Sequence, residues 1–110
     1  MDGRIPVRFG ALETATATTA LLVEGKRMVP EGFAVARFEL APTGHVFGCA
    51  CCLPRGAVGQ ALTRLFQARA RGEVGFFREV LALPLGAAGE GAVRAALTED
   101  VVVAARFRAG

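Results

Sequence analysis

Apolar residues along this chain recur at two different intervals, and the interval changes at glycine and proline. Residues 5–9 read as a first short strand, with Pro6 tolerated near its start. Residues 14–23 read as a helix closed at Gly25, although the threonines at 14, 16, 18 and 19 lower its intrinsic propensity. Pro30, Glu31 and Gly32 punctuate the chain before 33–40, whose apolar and β-branched residues predict a second strand. A turn at 41–44 leads to a short strand candidate at 45–48. From 57 to 71 the period becomes 3.6: Val58, Ala61, Leu62, Leu65 and Phe66 fall on one side, Gln60, Arg64, Gln67 and Arg71 on the other. Gly72 terminates this helix, and 76–83 follows as a strand stopped by Pro84. Gly86 and Gly89 give a loop before a short helix at 92–97. Residues 101–107 have strand propensity, yet Thr98, Glu99 and Asp100 form a helix entry, which favours helix. Strands alternating with helices predict an α/β fold: a small three-layer domain with a mostly parallel sheet, spanning 1–110 as a single domain.

Composition narrows the function classes. With 53% hydrophobic and 21% charged residues, the chain lies far from the composition of disordered segments. The net charge of +3 comes from 13 basic residues, Lys26 the one lysine among them, against 10 acidic ones. The arginines are scattered from Arg4 to Arg108 and form no basic stripe, so nucleic-acid binding is not expected. The uncharged stretch 40–54 is broken by Pro42, Gly44 and Gly48 and is too short to cross a bilayer, so no membrane partner is expected either. Arg4, Arg8 and Glu13 interrupt any secretory leader, which points to a reducing cytoplasm with free or metal-bound thiols.

Those thiols carry the candidate chemistry. Cys49, Cys51 and Cys52 are all the cysteines of the chain and fall within four residues. Neighbours that close do not form strain-free disulfides with one another, which leaves soft-metal binding or redox chemistry. As thiolates they suit Zn²⁺ or Cu(I), and a tetrahedral zinc needs a fourth ligand. On an extended segment His45 shares a face with Cys49 and is a candidate for that place; the plainer reading is an ordinary histidine after the turn at Gly44. Redox use has its own basis, because a helix amino end and Arg55 follow directly and would raise the thiolate fraction. A structural alternative remains, in which the cysteines are small buried hydrophobes.

The run Gly48-Cys-Ala-Cys-Cys-Leu-Pro-Arg-Gly56, followed by an amphipathic helix and then Phe77-Arg-Glu-Val-Leu81, resembles the CobW-like P-loop GTPase and metallochaperone family, whose members carry a G-C-x-C-C motif. The resemblance covers the family's N-terminal part and implies a truncated P-loop NTPase fold and a site for zinc or another transition metal at Cys49, Cys51 and Cys52. It departs at the phosphate loop. A gapless placement puts Leu12, Ala17, Thr18 and Thr19 where G, G, K and S/T are required, so only the hydroxyl survives. Leu83 stands where the family has an acidic residue at a strand end. GTP binding and enzymatic turnover are therefore not expected.

The expected function is transition-metal binding or handling by a nucleotide-incompetent relative of CobW-type GTPases. The alternative is a pseudo-GTPase interaction module, pairing through an unfinished sheet with a full-length GTPase or with its own copies. The face Gln60, Arg64, Gln67, Arg71 reads first as solvated and second as a dock for an acidic partner.

Overall fold

The computed structural model describes residues 3–40 and 56–110. Among these, five strands form one all-parallel sheet in the order β3-β2-β4-β1-β5. The strands are β1 (Ile5–Phe9), β2 (Thr19–Glu24), β3 (Val35–Phe38), β4 (Glu79–Leu83) and β5 (Phe107–Ala109). A 3₁₀ turn at Leu12–Thr14 follows β1, and the helices are α1 (Ala57–Ala70), α2 (Ala87–Glu99) and α3 (Val101–Arg106).

Side-chain alternation along the strands divides the core in two. Ile5, Val7, Ala20, Leu22, Ala36, Phe38, Val80 and Ala82 point to the face covered by the helices, where they meet Ala61, Leu62, Leu65, Val93, Leu97 and Val103. Leu21, Val23, Leu81 and Leu83 point to the other face and pack against Leu12, Ala15, Val29 and Phe33 from the loops. The three layers are thus helices, sheet and loops, as the α/β reading requires. β4 lies at the centre with β2 inside the sheet beside it, and β2 is covered on both faces, which is why Ala20-Leu21-Leu22-Val23 is apolar on every residue instead of every second one.

That unbroken run explains the main correction. Residues 14–23, expected as a helix, contain the end of the 3₁₀ turn and the strand β2. A short apolar run reads equally as buried strand or helix by periodicity, and the β-branched threonines before it favour the extended state. The stretch laid on the family's phosphate loop and helix therefore runs from turn to strand. The strand expected at 76–83 begins only at Glu79, because Phe77 leaves the ladder to enter the core, where it is 2% exposed. The helix expected at 92–97 begins already at Ala87, with Gly89 and Gly91 inside it. The helix expected at 101–107 stops at Arg106, and Phe107 opens β5 beside Ile5 of β1. The 57–71 helix and its stop at Gly72, whose φ is +73°, stand as expected. The turn at 41–44 and the strand candidate at 45–48 lie outside the described residues.

Candidate functional site

Charged and hydroxyl side chains converge on the loop face of the sheet. Arg8 on β1 donates from Nε and Nη2 to the two carboxylate oxygens of Glu79 on β4, at 3.0 and 3.1 Å. Its Nη1 and Nη2 also donate to Thr14 Oγ1 and the Thr14 carbonyl, at 2.9 and 3.0 Å. Thr19 on β2, 2% exposed, donates its hydroxyl to Glu79 Oε2 at 2.8 Å and accepts from the Thr16 amide at 2.9 Å. One guanidinium and one carboxylate thereby tie three neighbouring strands to the turn after β1. The hydrogen bonds from Arg8, and then that from Thr19, hold the Glu79 carboxyl below its ordinary range, while the Glu79 bond raises Arg8. Such a pair, with its hydrogen-bonding capacity largely spent inside the protein, is suited to structure rather than to proton transfer.

The carboxyl ends of β1 and β4 form a second feature. From β1 the chain turns onto the loop face, whereas from β4 it passes to α2 on the helix face. Neighbouring parallel strands whose connections diverge in this way leave a crevice between them, the usual ligand position in open α/β sheets. Here it is a cavity of about 450 Å³ with Phe9, Leu12, Val29 and Leu83 in its walls and Glu13, Arg27 and Glu90 at its rim. Arg27 donates to the Leu83 carbonyl, and Arg94 lies over the Phe9 ring at 4.6 Å while paired to Glu90 at 2.8 Å. The adjoining amino end of α2 already has its anion: Glu24 Oε1 accepts from the Leu85 amide at 2.7 Å and lies against Gly89.

Of the residues singled out by sequence, Cys49, Cys51, Cys52 and His45 lie outside the described residues. Among the described residues no three His, Cys, Asp or Glu side chains come together as a metal site. Thr19, the one hydroxyl matching the phosphate-loop pattern, is the Glu79 donor just described. Arg64 and Arg71 border a groove between α1 and β3. Arg8 and Glu79 escaped the sequence reading because 71 positions separate them. The available signal was a charge inside each of two otherwise apolar strands, legible as a pair only once β1 and β4 are known to be neighbours. No helix of the described residues is long and apolar enough to cross a membrane. The chain matches no protein-family model, no curated protein and no solved structure.

Proposed function

We propose that this chain binds a soft transition metal, zinc foremost, through Cys49, Cys51 and Cys52, and holds or passes on the ion as cargo without nucleotide turnover. The observation that carries the reading is the grouping of every thiol of the chain within four residues. Three thiolates are a donor set for Zn²⁺ or Cu(I), and His45, an acidic side chain, water or a partner's ligand would complete the sphere. Read with the CobW-like resemblance, this is a relative without the phosphate-loop lysine, in which the surviving hydroxyl of Thr19 is committed to Glu79.

The test is elemental analysis of the untagged full chain purified under reducing conditions, beside the Cys49/Cys51/Cys52→Ser triple variant. Near-stoichiometric zinc or copper in the parent, lost in the variant, is the expected result. Cobalt loading gives a second readout, since thiolate-to-cobalt charge-transfer absorption in the near ultraviolet reports sulfur ligands directly. A folded chain that carries no metal and takes up neither zinc nor cobalt would end the proposal.

A further inference from the structure

We infer that the outer edge of strand β3, together with the Arg64 face of α1, docks an extended acidic segment of a partner protein, taken up as an added strand. The inference uses no residue of the thiol segment and stands independently of metal binding.

The backbone provides the first part of the site. Leu21 N donates to the Ala34 carbonyl and Gly25 N to the Phe38 carbonyl, both at 2.8 Å. Alternation along the strand then turns the N–H and C=O of Val35 and Arg37 away from β2. Among the described residues no strand pairs with β3 on that side. The Arg37 carbonyl instead accepts from Arg64 Nη2 at 3.2 Å. That bond is exposed and made by a flexible side chain, so an incoming backbone N–H can replace it and release the guanidinium to a carboxylate.

Shape and charge provide the second part. The space between β3 and the carboxyl half of α1 is a groove of about 720 Å³, with Val35, Ala36, Leu65 and Ala68 as its apolar floor. Arg37, Arg64 and Arg71 line it against a single acidic residue, Glu73, whose contact with Arg71 is 3.8 Å long between two well-exposed side chains. The Arg37 guanidinium donates to the carbonyls of Gly25 and Arg27, neutral partners that leave its charge uncancelled. A strand laid along β3 alternates its side chains. Acidic residues on the α1 side would meet Arg64 and Arg71, and apolar residues on the other side would lie beside Val35. Sheet edges take peptides by this strand addition, with main-chain bonds giving affinity and alternate side chains giving selectivity. The described residues lining the groove include no aromatic ring on which a base could stack, which favours peptide over nucleic acid.

The probe is a fluorescein-labelled octapeptide of alternating Glu and Val, titrated with the full chain by fluorescence anisotropy. Two further peptides are N-methylated on one or the other set of alternate residues, which removes strand pairing without changing charge or the protein. Saturable binding is expected, weakened about tenfold or more by Arg64→Glu and by Arg71→Glu, abolished by one N-methyl series and tolerated by the other. The Cys→Ser triple variant should bind like the parent. No binding of the parent peptide, equal binding of both N-methyl series, or tighter binding of a single-stranded oligonucleotide than of the peptide would each overturn the inference.

Discussion

Gly89 of α2 has no side chain because the Glu24 carboxylate fills the space one would need. A Cβ at Gly89 would collide with Glu24 Oε1 and stand 2.9 Å from Cδ, and the same carboxylate accepts from the Leu85 amide at the entrance to the helix. The contact joins the carboxyl end of β2 to the amino end of α2, next to the crevice between β1 and β4. Gly89→Ala alone should destabilise by about 1 kcal/mol, since displacing Glu24 outweighs the gain in helix propensity. In a Glu24→Ala background the carboxylate clash is gone and the same change should cost clearly less, the Cβ then meeting only Pro84 Cβ at 3.1 Å. Urea unfolding of the double-mutant cycle reads this coupling between Glu24 and Gly89.

Glu79 gives the fold a defined acid limit. Its carboxyl is held below the ordinary value of 4.5, first by the Arg8 hydrogen bonds and then by Thr19. Between the lowered native value and the ordinary one the unfolded chain binds more protons than the native chain, so stability falls as the pH drops through that interval. Above the ordinary value the contribution is complete. Glu79→Gln should cost about 1–3 kcal/mol near neutral pH and flatten the acid limb of the stability profile. A limb unchanged by the substitution would assign the acid sensitivity to other carboxylates.

Thr19 can be separated from Arg8 by Thr19→Val, which keeps the shape and β-branching of the residue. The change removes the 2.8 Å donor to Glu79 and leaves the Thr16 amide without its acceptor. A loss of about 1–2 kcal/mol follows from the orphaned groups. With one donor gone, the Glu79 carboxyl moves back toward its ordinary value, so the interval over which it loses stability shrinks from its acid end and the acid limb becomes shallower. Thermal unfolding across an acid pH series measures both effects.

How far the sequence could be read depended on whether a segment's signal was local. The amphipathic α1 was legible because Leu62 and Leu65 share one face and Arg64 and Arg71 another, and Gly72 ends it with a left-handed turn. β1 and β3 were legible as short apolar segments between breakers. β2 was misread because burial on both faces erases the period that distinguishes strand from helix, and only its place between β3 and β4 decides the matter. α2 was shortened in the reading because Gly89 resembles a loop residue until its contact with Glu24 is known. The cysteine cluster was visible at once, being defined by four consecutive positions, whereas the Arg8–Glu79 pair depends on a strand adjacency that no local pattern reveals.

Asp100 is where the helical layer returns the chain to the sheet, and its cap can be tested by itself. Its carboxylate accepts from the amides of Val102 and Val103 at 3.0 and 3.2 Å, starting a helix of only six residues that hands directly to β5. Helices that short have little stability of their own, so the cap and the burial of Val103 and Phe107, each 1% exposed, set the position of α3. β5 in turn pairs with β1 through Ile5, Pro6 and Val7. Asp100→Ala should cost about 1 kcal/mol overall, with the loss concentrated in α3 and β5. Hydrogen exchange of the Phe107 and Gly110 amides, which donate to the Val103 and Val7 carbonyls, should quicken well before that of β2 and β4. Equal acceleration in β2, β4 and β5 would mean that β5 opens only with the whole domain, and that α3 and β5 form no separate unit of local unfolding.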